Sequence, residues 1–313
     1  MISPVRPIEL EDIEAARKRI SGTVLRTPLV RFDERIYLKL ENLQPTNAYK
    51  IRGAANAVAR LSDEERAKGV WTISAGNAGQ GVAFAARAAG IPCSVVAIET
   101  APKTKLDRMR ALGAMIIPVS YEQAWRAAEA HAFEGLDGTF IHPFDNHDFI
   151  AGHGTMGLEI LEDCPDVRTV ICAIGGGGLI TGVGSAIKAL RPQASVLGVE
   201  PDTAAPYAYS LSVGAPGKFP GWQASFVDGA GGQSVTARMW ERMQGVVDGA
   251  ITVSLDQTRE AMRLIAEKSR TIAEGAGALS LAAALADQVG EGSIVCVVSG
   301  GNIDLAKFAE LVT

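Results

Sequence analysis

From Val70 onward, short runs of branched and aromatic residues alternate with longer runs of helical period. The short runs read VWTIS at 70–74, CSVVAI at 93–98, MIIPV at 115–119 and TFIHP at 139–143. TVICAI follows at 169–174, SVLGVE at 195–200 and IVCVVS at 294–299. Between them, residues 78–89, 103–112, 121–133, 149–161 and 180–190 place apolar side chains at helical spacing. Strand and helix in this rhythm predict βαβ units and parallel sheets, because parallel strands need long crossovers. The stretch 206–232, with SVGAPGKFPGWQ and then DGAGG, shows no clear period and predicts a long loop close to the ligand. No fixed-period repeat and no Ser-, Pro- or charge-rich linker divides the chain, so a second domain is expected to be inserted within the first.

Composition narrows the class of partner. The 313 residues are 47% hydrophobic and 21% charged, which excludes a disordered or fibrous chain. Thirty basic against thirty-five acidic side chains give a net charge of −5, which offers no footprint for nucleic acid or an anionic membrane. A small-molecule partner is expected. The first twenty residues mix charges with a helical period, unlike the basic start and apolar core of an export signal. The longest uncharged stretch, 169–187, holds six glycines, which suit loops and close packing better than a bilayer span. Cys93, Cys164, Cys172 and Cys296 form no CxxC pair and read as reduced, buried thiols of a cytoplasmic protein.

Four places carry candidate chemistry. Gly175, Gly176, Gly177 and Gly178 follow the apolar run TVICAI and precede a helical run, so bare backbone N–H groups at a helix start can face a phosphate. A tight turn alone does not need four glycines, and neither GxxxxGK[ST] nor GxGxxG with a following ribose-binding acid is present. Lys50 stands near the start of the helical run after Gln44–Asn47. At a helix's positive end, and desolvated, a lysine becomes the neutral amine that Schiff-base chemistry demands, although most lysines are simply exposed. SAGNAGQG at 74–81 opens a helix after VWTIS, where a carboxylate can dock and Asn77 can bond a ligand oxygen or serve as a cap. Ser299 closes the last strand, at the end where open α/β sheets bind ligands.

PTNAYKIRGA, SAGNAGQG, GGGG and SGGN in this order resemble the fold-type II pyridoxal phosphate enzymes, specifically the threonine dehydratase and serine racemase family. The likeness spans essentially the whole chain. It implies an α/β fold of two parallel-sheet domains of tryptophan synthase β-like architecture, a large cofactor-binding domain at 1–60 and 140–313 and a small substrate-closing domain at 61–139. It implies pyridoxal 5'-phosphate held covalently by Lys50, with Asn77 at its phenolic oxygen, Gly175 to Gly178 at its phosphate, Ser299 at its pyridine nitrogen and Glu274 near the ring. Ser74, Ala75, Gly76 and Asn77, with Thr46 and Asn47, are expected to meet an amino-acid substrate. A homodimer is expected.

The chain departs from the family in ways that bear on substrate and metal. Thr46-Asn47-Ala48-Tyr49-Lys50 replaces the usual Thr-Gly-Ser-Phe-Lys, and Ala78 replaces a histidine after Asn77. Ala75 stands where the racemases hold a serine that acts on the face opposite the lysine. Glu200 matches one metal ligand of the family's cation-binding members, but Pro206 takes the place of the later aspartate, so no metal is expected. The resemblance implies an ammonia-lyase that eliminates the β-hydroxyl of L-threonine or L-serine. Hydroxyaspartate or phenylserine are the alternatives as substrate, and a catalytically silent binder of the cofactor or a phosphate metabolite is the alternative from another class. Lys50-Ile51-Arg52 in place of Lys-Asp-Arg speaks against a β-replacement synthase.

Overall fold

The computed structural model describes residues 4–101, 103–286 and 289–313; the first three positions of the N-terminal stretch and of the expected large domain lie outside them. The chain begins with helix α1 (Leu10–Ile20), strands β1 (Leu29–Arg31) and β2 (Ile36–Leu40), and helices α2 (Lys50–Ala59) and α3 (Asp63–Lys68). Then come β3 (Val70–Ile73), α4 (Asn77–Ala89), β4 (Cys93–Ile98), α5 (Lys103–Ala111), β5 (Met115–Val119), α6 (Tyr121–Ala130) and β6 (Thr139–Phe140). The next stretch holds α7 (His147–Asp163), β7 (Thr169–Ala173), α8 (Gly178–Leu190), β8 (Ser195–Pro201), α9 (Pro206–Val213) and α10 (Ala237–Met243). It ends with β9 (Gly249–Val253), α11 (Leu255–Ser269), α12 (Gly275–Leu285), β10 (Ile294–Val298) and α13 (Leu305–Val312).

These strands form two sheets. A six-stranded sheet has the order β1-β2-β10-β7-β8-β9, and a four-stranded sheet the order β5-β4-β3-β6. Every pairing is parallel except β1 with β2. Helices cover both faces of the larger sheet, which is why β7 (TVICA) and β10 (IVCVV) are buried at every position and, Thr169 aside, apolar instead of alternating. In the larger sheet the chain moves outward from β7 to β8 and β9 but places β10 on the other side of β7. In the smaller one it moves from β3 to β4 and β5 and then returns β6 to the far side of β3. Such reversals open a crevice at the strands' carboxyl ends, and the loops there carry Gly175, Ser299 and Ser74.

A buried ion cluster fixes α2. The Arg52 guanidinium donates to both Glu41 oxygens at 2.8 Å and to Glu159 at 2.7 and 2.8 Å, while Lys39 pairs with Glu159 at 2.6 Å. Two positive groups thus meet two carboxylates, and each has hydrogen-bond partners, the condition under which buried charge is tolerated. Because Arg52 follows Lys50 by two residues, the cluster also sets where the Lys50 end of α2 lies. α4 comes up against the same turn: a Cβ on Gly81 would stand 3.1 Å from the Lys50 carbonyl carbon, so glycine permits this close approach.

The long loop expected at 206–232 contains a helix, α9, in its first third. Its N-terminus is capped from outside, since the Glu200 carboxylate on β8 accepts from Tyr207 N at 2.9 Å and Ala208 N at 2.8 Å. Burial lifts the Glu200 carboxyl to about 7, against these two N–H donors. The four cysteines are buried free thiols. No helix among the described residues is long and apolar enough to cross a membrane.

Candidate active site

Lys50 is brought to Ser299 by a short zipper between distant segments. Tyr49 N donates to Ser299 O at 3.0 Å, Gly301 N to Asn47 O at 2.9 Å, and Ala48 bridges Gly300. Asn47 turns the chain at φ 53°, a left-handed conformation that asparagine tolerates. Tyr49 then caps α2 with no side-chain bond, and Lys50 is its first residue. The Lys50 Nζ donates to Pro143 O at 2.6 Å and lies 5.1 and 5.4 Å from the Tyr49 and Phe149 ring centres. No carboxylate among the described residues pairs with it. Burial without a counter-charge lowers the amine from 10.5 to about 7.

The glycine turn at 175–178 exposes the start of α8. Gly177 holds φ 87° as the N-cap, and no side chain caps the helix. A Cβ on Gly176 would fall 2.2 Å from the Phe144 ring, and one on Gly175 would fall 2.6 Å from Gly229 O. The turn therefore excludes side chains on two sides, and Gly176 lines the cavity that holds Lys50.

Asn77, first residue of α4, meets the large sheet through a chain of oriented hydrogen bonds. Arg108 donates to Asn302 Oδ1 at 2.7 Å, and Asn302 Nδ2 donates to Thr46 O and to Asn77 Oδ1, each at 2.8 Å. Arginine only donates and a carbonyl only accepts, so both amide orientations are fixed. Asn77 Nδ2 is left to point at Glu274, 2.6 Å from its Oε1. Burial first, then the charge of Asp228, raises the Glu274 carboxyl to about 7. Ser299 is buried, and its hydroxyl donates to Ala276 O at 3.4 Å.

One cavity of about 440 Å³ is lined by Lys50, Ser74, Ala75, Gly76, Asn77, Gly176, Glu274 and Ser299. The structure thus gathers most of the residues singled out from the sequence. Thr46 and Asn47 do not line it: Thr46 turns its carbonyl to Asn302, and Asn47 serves the zipper. Gly175 opens on the adjoining cavity, while Gly177 and Gly178 shape the turn. Sequence reasoning passed over Pro143, Phe144 and Asp228, which line the main cavity together with Tyr49 of the altered 46–50 segment. Pro143 and Phe144 follow β6, so strand-end position was the available signal. It also passed over Asn302, the last letter of the SGGN motif that had drawn attention to Ser299.

A buried lysine amine with no counter-charge facing an uncapped helix start across one crevice defines a class of protein, and comparison with known families agrees. Residues 20–300 match the family model described as pyridoxal-phosphate dependent enzyme. The chain belongs to this family and is a pyridoxal phosphate-dependent enzyme. It is 40% identical to the L-threonine ammonia-lyase of Thermotoga maritima over 308 residues, covering 95% of this chain and 76% of that protein. The catabolic L-threonine dehydratase of Staphylococcus aureus N315 is 36% identical, with coverage of 97% and 92%. Among solved structures, maize serine racemase superposes with a TM-score of 0.91 at 33% identity, covering 97% of each chain. The processed threonine deaminase isoform 2 of Solanum lycopersicum gives 0.86 at 30% identity, with coverage of 99% and 96%.

Proposed function

We propose that this enzyme is an ammonia-lyase that removes the β-hydroxyl of a β-hydroxy amino acid such as L-threonine or L-serine, giving a 2-oxo acid and ammonia. The observation that carries the reading is Lys50, desolvated and without a counter-charge in the cavity that also holds Asn77, Gly176 and Ser299. The residues fit pyridoxal 5'-phosphate. The glycine turn would hold the phosphate at the start of α8, Lys50 the aldehyde, Asn77 the phenolic oxygen through Nδ2, and Ser299 the pyridine nitrogen. When bound, the cofactor supplies the electron sink that makes the amino acid's α-proton removable.

The protein's own groups do the rest. Backbone N–H groups at the turn into α4, those of Ala75 and Asn77 foremost because Ser74 N already donates to Val96 O and Gly76 N to Ser74 Oγ, hold the substrate carboxylate. Lys50 Nζ, its pKa lowered to about 7 by burial, takes the α-proton and returns it to the departing hydroxyl. The amino acid so dehydrated is an enamine, which water converts to the 2-oxo acid and ammonia. Ser299 is neutral and does not favour a protonated ring nitrogen as an aspartate would, which suits prompt loss of the β-group over transamination.

Ala75 lines the cavity where a racemase would need a proton carrier, and a methyl group carries none, so elimination prevails over racemisation. The segment 61–139 acts as the closing domain in this reading, latched by the Lys105–Asp228 ion pair and the Arg108–Asn302 bond. A cytoplasmic location and a homodimer belong to the same proposal, the first supported by four buried free thiols and the second checked by sedimentation. The decisive experiment incubates the holoenzyme with L-threonine and measures 2-oxobutanoate and ammonia in equal amounts. Absence of both, with cofactor bound, overturns the proposal.

A further inference from the structure

Beside the Lys50 cavity lies a second, larger chamber of about 600 Å³. The two adjoin, since Ser74, Ala75, Pro143 and Phe144 line both. The chamber opens from the loop assigned to the substrate carboxylate and runs under α6. Its walls are Ile73, Val96 and Ile98 at the ends of β3 and β4, and Tyr121 and Trp125 on α6. Those two rings stack at 6.5 Å and stay 55% and 43% exposed, although they face the cleft and not a core.

His142 and Asp145 in the wall are already bonded within the protein. His142 Nδ1 accepts from Asp145 N at 2.9 Å and Phe144 N at 3.3 Å, and burial holds the ring neutral, with its pKa lowered to about 3. The Asp145 carboxylate is met by Arg238 at 2.5 Å and Arg242 at 2.7 Å. Arg238, the guanidinium that reaches the chamber, is engaged by Asp145, and Glu129, which accepts from Trp125 Nε1 at 2.8 Å, adds a second carboxylate to the wall, so a second carboxylate on the substrate is disfavoured there. A methyl group, the β-substituent of threonine, would leave most of this space unfilled, whereas apolar walls with aromatic rings suit an aryl group.

We propose that this chamber receives the substrate's β-substituent, and that the preferred substrates are β-hydroxy amino acids bearing an aryl group on the β-carbon. The inference rests on the elimination reading above. The chemistry balances without another reactant. The Cα–H electron pair becomes the Cα–Cβ double bond, the Cβ–O bond breaks, and the proton leaves with the hydroxyl as water. Hydrolysis of the enamine takes that water back, so β-phenylserine gives phenylpyruvate and ammonia.

The test uses the holoenzyme with L-threonine and β-phenylserine as substrates. L-2-aminobutyrate and L-phenylalanine, which lack the β-hydroxyl, are followed by calorimetry as binding probes. We expect kcat/KM for phenylserine to exceed that for threonine at least about tenfold, mainly through KM, and phenylalanine to bind about tenfold tighter than 2-aminobutyrate. Ala128→Phe, which fills the chamber from α6, should raise the KM for phenylserine about tenfold and leave threonine within about twofold. Trp125→Ala should weaken phenylalanine more than 2-aminobutyrate.

Threonine elimination without any preference for phenylalanine overturns this proposal and leaves the ammonia-lyase reading standing. Tight phenylalanine binding, lost in Ala128→Phe, with no elimination of either substrate, supports the chamber and overturns the ammonia-lyase reading. If Trp125→Ala breaks a dimer and leaves both probes unchanged, the ring pair is an interface between copies, and the proposal fails.

Discussion

Acetylating the cofactor-free protein competitively across about pH 5 to 11, with mass spectrometry of each lysine peptide, reads the protonation of Lys50 directly. Moving the amine from 10.5 to about 7 favours its neutral form by roughly 5 kcal/mol. The Tyr49 and Phe149 rings pull the other way by about 0.5–2 kcal/mol, while the helix start adds about 0.3–1 kcal/mol toward the neutral form. Desolvation wins. At pH 7.5, about three quarters of Lys50 is then unprotonated, against about one in a thousand for an ordinary lysine, a ratio of roughly 750. Access lowers the absolute rate, so the pH midpoint is the quantity to follow. Labelling of Lys50 should level off above about pH 8, while that of exposed lysines keeps rising. A midpoint above about 9 would refute the desolvation argument. The same shift has a stability consequence with a definite sign. Between about 7 and 10.5 the unfolded chain holds a proton on Lys50 that the native chain lacks, so this residue makes cofactor-free stability rise with pH across that window. Lys50→Met should flatten the slope.

The other predictions are shorter. Lys50→Ala should abolish elimination, and borohydride treatment of the wild-type holoenzyme should leave pyridoxyl mass only on the Lys50 peptide; a label elsewhere sinks the assignment. Gly177→Val forces a branched residue to φ 87° with its Cβ about 3.0 Å from Met243 Sδ. The left-handed backbone alone costs roughly 1–2 kcal/mol, so a lower unfolding midpoint should accompany weaker cofactor binding, and an unshifted midpoint contradicts the strain argument. Arg52→Met leaves Glu41 and Glu159 sharing only Lys39 in the interior and should cost about 3–5 kcal/mol in denaturant unfolding; a loss below about 1 kcal/mol shows that the cluster does not hold α2. Ala75→Ser should raise the D-serine formed from L-serine relative to pyruvate, with cofactor affinity unchanged; chiral chromatography showing equal yields removes the reason for calling the parent a poor racemase.

Local pattern determined much of this protein. Strand and helix alternation from Val70 to Val119 was legible because each strand is short and bounded, and each helix there keeps one apolar face. The tetraglycine turn and the helix starting at Lys50 were legible for the same reason, since each is specified by neighbours in sequence. Helices α3, α9, α10, α11, α12 and α13 went unread, and for α9 and α12 the determinants lie elsewhere. α9 takes its cap from Glu200 on β8, and α12 (GAGALSLAAAL) is buried on every side, so neither shows the one-sided period of a surface helix. Tertiary structure alone decided which atoms meet. The zipper of 47–49 with 299–301 joins opposite ends of the chain, Arg108 and Asn302 fix which end of the Asn77 amide faces inward, and Pro143 receives the Lys50 amine. The pKa of Lys50 likewise belongs to the assembled cleft, because desolvation is a property of what surrounds a group in space and has no counterpart in its position along the chain.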